Sequence, residues 1–434
     1  MLRGVSFIYH NHIRQTVLCC FFALLLMLAT SRQAEASAGF SVNVHGAKAM
    51  GMNTAFAAQA DDPSALYYNP AGISFLKGLQ TSFGALLIEV SPSSFSGTNQ
   101  LSPTTPVYEE SRRQLFFVPS CYLTYSMESL PLSFGLGINS IYPLSKRWND
   151  NSTFRNLVQS VSIKPMNFQP TVAYRFDSLN LSVAAGIDVT YAKVSMQNMA
   201  YAGQAGELGR LSTEGSAIDP GYNFGLLWKP RNDLSFGVNY RSAITLNLSG
   251  DATFGATTPL GMAVIGGTQA AAGNATTSIR LPDSPTLAVA WKPIEKLTLE
   301  FDAMRTGWSS YNMLEVKYES PQMAVFNNNP IPKNWNDSWS YSLGVQYSLN
   351  PTIDLRAGYT YDTTPVPDTT LGPDLPDAAR HNYSVGIGIH KGFASVDLAY
   401  MYIHFADRSV SNLIQTGTYK SDAHLLGGSI TLRF

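Results

Sequence analysis

From Leu234 the chain alternates apolar and polar residues for fifteen positions. Leu234, Phe236, Val238 and Tyr240, then Ile244, Leu246 and Leu248, fall on one face of an extended strand; Ser235, Gly237, Asn239, Arg241, Thr245 and Asn247 fall on the other. A period of two marks a strand with unlike faces. The pattern recurs at Leu181, Val183, Ala185, Ile187, Val189 and Tyr191, at Ile353, Leu355, Tyr359 and Tyr361, and in the run that ends at Phe434. Such strands are longer than the five or six residues usual in globular sheets. Their polar faces carry full charges, including Asp188, Arg241, Glu300, Asp302, Asp354 and Arg356. Strands of about ten residues match a bilayer crossed at a tilt. Tyr and Trp gather at strand ends (Trp228, Trp291, Trp308, Tyr359, Tyr361, Tyr400, Tyr402), where an outward face meets headgroups. These features predict an all-β fold, a transmembrane antiparallel β-barrel.

The connections alternate in length. Short turns are expected at 128–131, 177–178, 229–233, 292–295, 350–351 and 391–392. Long linkers are expected at 91–113, 142–164, 198–220, 250–276, 320–337, 363–380 and 407–421. With Leu297 to Glu319 taken as one long strand, the count is about 14. An even number closes a barrel with both ends on one side, and closure removes every unpaired edge.

Composition agrees. Only 14% of residues are charged, against roughly 25% in soluble domains, and a net charge of −1 offers no basic surface for nucleic acid. The chain opens with Arg3 and Arg14 around a polar lead, an apolar run from Val17 to Ala29, and small residues at Ala34, Ala36 and Ala38. This reads as a secretory signal peptide over 1–38, cleaved after Ala36 or Ala38. Its apolar run is too short for the roughly 20 residues of a spanning helix. Cleavage would leave Cys121 as the only cysteine, so no internal disulfide is expected.

Between the signal and the first strand lies a Gly/Ala-rich segment without strand pattern, residues 39–78, expected to fill the lumen as a hatch, with the barrel occupying 79–434. The histidines of the mature chain, His45, His381, His390, His404 and His424, have no metal-like spacing, and Asp61-Asp62-Pro63 reads as a helix start, not as a catalytic pair. No catalytic residue, metal site or cofactor is expected.

Gly39-Phe40-Ser41-Val42-Asn43, Gly46, Gly51, Ala60-Asp61-Asp62-Pro63-Ser64 and Tyr68-Asn69-Pro70-Ala71-Gly72-Ile73 resemble the start of the FadL/TodX family of outer-membrane transporters. Later landmarks, in order, are Tyr240-Arg241-Ser242, Thr306-Gly307-Trp308-Ser309, Asn334-Trp335-Asn336-Asp337, Pro365-Val366-Pro367-Asp368 and Leu375-Pro376-Asp377. The resemblance covers the mature chain. It implies a 14-stranded barrel in the bacterial outer membrane, plugged by an N-terminal hatch, that takes up long-chain fatty acids or hydrocarbons. Outer loops would capture the ligand, and the hatch would rearrange. Release into the membrane would be sideways, through a gap beside a kinked third strand.

On that reading Gly39, Phe40, Asn69, Pro70, Ala71 and Gly72 form the hatch gate, and Gly135 and Gly137 mark the lateral-opening strand. Phe154, Leu157 and Val158 share a helical face beside Trp148 in one long loop; Met199, Tyr201, Leu208 and Leu211 come from the next. Together they would make an exposed apolar capture groove. Arg155, Lys193, Arg241 and Lys317 are candidate contacts for a fatty-acid carboxylate. The expected partners are a hydrophobic ligand and outer-membrane lipid, with the protein a monomer. The alternative is a structural or adhesive barrel whose loops bind a host or phage protein; an unplugged porin would leave the hatch segment without a role.

Overall fold

The computed structural model describes residues 39–40, 43–327 and 330–434; the signal peptide expected over 1–38 lies outside them. Fourteen strands follow one another around a closed antiparallel barrel. They are Gly78–Val90, Gln114–Ser126, Leu132–Asn139 continued by Leu144–Arg147, Ser160–Phe176, Leu181–Tyr201, Glu207–Arg231, Leu234–Arg241 continued by Ile244–Ala256, Ala270–Leu281 continued by Ser284–Ile294, Leu297–Thr306, Ser338–Asn350, Ile353–Asp362, Arg380–Lys391, Ala394–Phe405 and Asp422–Arg433. The last strand pairs with the first from Gln80↔Arg433 to Val90↔Ala423, which closes the ring.

The barrel is apolar outside. In the fifth strand Ser182, Asp188 and Thr190 are buried in the lumen, while Val183, Ile187 and Tyr191 are exposed. Lipid takes the place of a core for the outward side chains, and polar residues find partners inside.

The seventh strand departs from the expected unbroken alternation. Phe236 and Val238 face outward, but Ile244, Leu246 and Leu248, of the same parity, are buried. Ser242 and Ala243 stand outside the ladder and invert the faces. The eighth strand inverts at the same level: Ile279 and Leu281 are buried, then, past Pro282-Asp283, Leu287 is exposed. The two interruptions turn the upper lumen apolar.

One loop and one strand assignment are corrected. The expected loop 198–220 is strand up to Tyr201 and again from Glu207, because these strands project as a hairpin whose buried face packs on Phe254, Ile265 and Met323. The strand expected from Leu297 to Glu319 ends at Thr306, where Gly307 turns the chain into the short helix Trp308–Ser310.

The hatch lies in the lumen as the helices Ala47–Gly51 and Ala65–Tyr68 and the 3-10 helix Pro70–Phe75. Glycines in the wall admit it. A Cβ on Gly237 would stand 2.2 Å from Ala57 O, and one on Gly358 2.4 Å from Met52 C. The hatch backbone is held by wall side chains. Asp302 Oδ2 accepts the N–H groups of Phe56 (3.1 Å) and Ala57 (3.0 Å). Glu300 accepts those of Ala58 (2.6 Å) and Gln59 (3.0 Å). Four donors of a turn without sheet partners are thereby satisfied.

Candidate functional site

The barrel wall opens beside the third strand. Leu132–Asn139 pairs with the second strand only from Ser133↔Ser126 to Ile138↔Cys121. Above Cys121, residues 114–120 keep their pairing with the first strand but carry no ladder on the other side. The third strand stays with the fourth, through Asn139↔Asn167 and then Leu144↔Ile163. It has peeled from one neighbour while holding the other.

The peeling starts at Ser140-Ile141-Tyr142-Pro143. Pro143 has no N–H for a ladder, and Tyr142 takes a left-handed φ of 62°, which costs a non-glycine residue roughly 1–2 kcal/mol. Burial and a hydrogen bond from its hydroxyl to Pro282 O (3.2 Å) hold Tyr142 there. Gly135 and Gly137, expected at the break, lie inside the paired part, opposite Thr124 and Tyr122. Gly135 instead makes room for the hatch: a Cβ would stand 2.5 Å from Leu66 Cδ2.

A cavity of ≈ 730 Å³ occupies the opening. Its inner wall includes Gly39, Phe40, Asp377 and Arg380; its outer rim includes Phe83, Leu115, Phe117 and Met166, which are exposed on the lipid-facing side. It therefore connects lumen to bilayer. That volume falls within the ~300–1,000 Å³ of small-molecule sites.

The start of the hatch stands at its inner end. Phe40 is caged by Trp308 (ring centroids 4.7 Å apart), Trp335 (5.9 Å), Tyr142 (6.3 Å) and Tyr311 (6.4 Å). Arg380 Nη2 donates to Gly39 O (2.7 Å) and pairs with Asp377 (2.6 Å). At the far end of the hatch, Asn69 is fully buried. Its amide donates to Ala57 O (2.8 Å) and to Leu226 O of the sixth strand (2.9 Å), and its Oδ1 accepts from Ala71 N–H (3.2 Å). Pro70 begins the 3-10 helix, and Gly72 packs on Ala60, whose O would stand 2.4 Å from a Cβ.

The side chains expected on an exposed capture groove are mostly buried. Trp148 donates from Nε1 to Pro373 O (2.9 Å) and packs on Phe154 (4.9 Å), which meets Phe95 (5.0 Å). Phe95 belongs to a four-stranded sheet outside the barrel, Ser94–Asn99, Ser102–Glu110, Arg408–Ser411 and Gln415–Lys420. That sheet covers Trp148, Phe154 and Val158, with Leu157 packed against the same cluster. Met199, Leu208 and Leu211 are buried in the projecting hairpin, and Tyr201 lies under Arg155 (6.0 Å). The sequence shows apolar spacing in the loops but not the hairpins that cover it.

Three of the four candidate carboxylate contacts already hold a carboxylate: Arg155 with Glu207 (3.5 Å), Lys193 with Glu214 (3.1 Å) and Arg241 with Asp188 (2.5 Å). Lys317 is exposed, and none of the four lines the cavity. The basic residues that do are Lys146, Lys164 and Arg380. Pro143 was the available sequence signal for the first two, since a proline within a strand run marks an irregularity. Nothing local singles out Arg380.

The profile of the family described as outer membrane protein transport protein (OMPP1/FadL/TodX) matches residues 27–434. Among relatives, an outer membrane protein of Neisseria meningitidis serogroup B is 25% identical over 95% of this chain and 98% of its own. A long-chain fatty acid transport protein of Escherichia coli is 24% identical over 88% and 90%. Among solved structures, a Pseudomonas aeruginosa FadL homologue superposes with a TM-score of 0.81 at 18% identity, over 92% of this chain and 100% of that one. The toluene transporter TodX of Pseudomonas putida gives 0.71 at 17%, over 90% and 99%.

Proposed function

The chain belongs to the outer membrane protein transport protein family (OMPP1/FadL/TodX), and from that premise we propose that it carries hydrophobic small molecules, fatty acids or hydrocarbons, passively through the opening beside its third strand. The observation that carries this reading is the cavity joining Phe40 in the lumen to Phe83 and Phe117 at the lipid face. An apolar ligand gains nothing from a polar channel and gains burial by leaving towards acyl chains. The polar lower lumen, filled by the hatch, offers no such route.

In this account the loop cluster around Trp148 and Phe154 parts to admit the ligand, which then meets the apolar upper lumen at Ile244, Leu246 and Ile279. Movement of Gly39-Phe40 out of the aromatic cage joins that region to the opening. Asn69-Pro70-Ala71 is the hinge end, pinned to Leu226 while the other end moves. The path has no chemical step; the barrel acts as a monomeric channel and not as an enzyme.

The test is uptake of labelled palmitate and toluene by cells with and without the protein, together with mass analysis of what co-purifies with the folded barrel. A bound hydrophobic molecule and protein-dependent uptake are expected. Equal uptake with and without the protein would remove the reading.

A further inference from the structure

Among the described residues the buried lysines are Lys48, Lys146 and Lys333. Lys48 pairs with Asp61 at 2.8 Å and Lys333 with Asp374 at 2.5 Å. Burial pulls the Lys333 ammonium down, and Asp374 more than offsets it, leaving it above the ordinary lysine value. The buried arginines are matched likewise, Arg241 with Asp188 and Arg356 with Asp397. Lys146 is the exception. Its ammonium donates to Ser93 Oγ at 2.6 Å, and Ser93 Oγ in turn accepts from Ser421 at 2.6 Å. It has no carboxylate.

Lys146 lies on the peeled part of the third strand and lines the opening. The other charged groups lining it are Lys164, Arg380 and Asp377, and Asp377 is already held by Arg380. Three cations therefore face one carboxylate. The remaining lining is largely apolar and runs outward past Leu115, Phe117 and Met166. A desolvated ammonium with a single hydroxyl partner gains most from an anion. The largely apolar lining between it and the bilayer matches the chemistry of an alkyl chain.

The geometry points to Lys146 as the headgroup site for a carboxylate-bearing, single-chain amphiphile lying in the wall opening. The carboxylate would replace or share the Ser93 contact, and the chain would extend along Leu115 and Phe117. This deepens the transport reading and rests on it: the opening then has a binding step that separates fatty acids from hydrocarbons.

The test compares palmitate with hexadecanol, which has the same chain and no charge, binding to the purified full-length barrel in neutral detergent. Wild-type protein is expected to prefer palmitate by roughly tenfold to a hundredfold, the worth of a hydrogen bond to a charged group. Lys146→Gln should abolish the preference and leave hexadecanol binding within about twofold, and Lys146→Arg should retain it. Lys146→Met gives the same test if the glutamine variant does not fold, folding being checked by mobility before and after boiling. Equal loss of both ligands, or an unchanged preference, overturns the assignment. Displacement of palmitate by phosphatidylglycerol as effective as by palmitate itself would assign the site to a lipid headgroup and overturn the single-chain reading. Hexadecanol passing through a barrel whose opening is clamped would remove the transport reading and leave the binding result standing.

Discussion

The ring of Phe40 lies edge-on to that of Tyr142, centroids 6.3 Å apart. One residue belongs to the start of the hatch and the other is the left-handed residue at which the third strand leaves its neighbour. Both also pack on Trp308, at 4.7 and 5.8 Å. The start of the hatch and the break in the wall thus share one aromatic cluster, and aromatic pairs of this kind contribute about 0.5–1.5 kcal/mol beyond area burial. Phe40→Ala empties the centre of the cage. It is expected to raise the rate at which cells admit a hydrophobic dye such as N-phenylnaphthylamine, and to destabilise by up to about 3–5 kcal/mol. An unchanged dye rate would mean that Phe40 is packing and not a gate.

Asn69 ties the hatch to the wall through Leu226 O. Asn69→Ala leaves one buried carbonyl, Ala57 O, and one partly buried carbonyl, Leu226 O, without that donor, at about 1–3 kcal/mol, and frees the 3-10 helix from its cap. The expected result in planar bilayers is larger and noisier ion conductance, while the barrel still resists dodecyl sulfate unheated. Gly225→Val should act in the same direction, because a Cβ there would stand 2.5 Å from Asn69 Oδ1.

Glu300 and Asp302 together receive four backbone N–H groups of the hatch turn. Replacing both by Ala removes every one of those acceptors, and the cost falls on the hatch and not on the strand, whose ladder with Ser338–Asn350 is backbone. Limited proteolysis of purified protein should then cut within residues 53–61, which wild-type protein protects. Single Gln or Asn substitutions keep an acceptor oxygen and should protect nearly as well.

Lys193 and Glu214 are exposed partners on the projecting hairpin, a class of ion pair worth about 0–1 kcal/mol. Lys193→Gln should leave palmitate uptake and stability unchanged. Arg241→Leu should behave oppositely, because Asp188 would remain buried with only Asn167 and Asn223 as donors, a loss of roughly 3–5 kcal/mol in resistance to urea.

The strands were legible because lipid outside and polar partners inside impose opposite demands on successive residues. The parity of Phe236 and Ile244 is the same in sequence, yet they face opposite ways, since the two residues between them leave the ladder without changing the count. The hairpin through Leu208 was unreadable for a related reason: beyond the bilayer no lipid enforces alternation. The opening was legible as a property of the third strand but not in position. Glycine offered the obvious signal, whereas the break is made by Tyr142 and Pro143. Pro143 marks the irregular stretch that carries Lys146 but not Lys146 itself, because what distinguishes Lys146 is that, among the described buried lysines and arginines, it has no carboxylate partner.

Passage through the wall is tested most directly by closing it. Ser120 and Ser140 line the opening from the second and third strands. In a Cys121→Ser background, Ser120→Cys and Ser140→Cys can be joined by a short bis-maleimide linker in cells, and palmitate uptake followed before and after. Uptake falling to the level of cells without the protein, with each single cysteine variant unaffected by the reagent, is the expected result. Uptake continuing at the unlinked rate through a fully bridged barrel would show that the ligand leaves by another route.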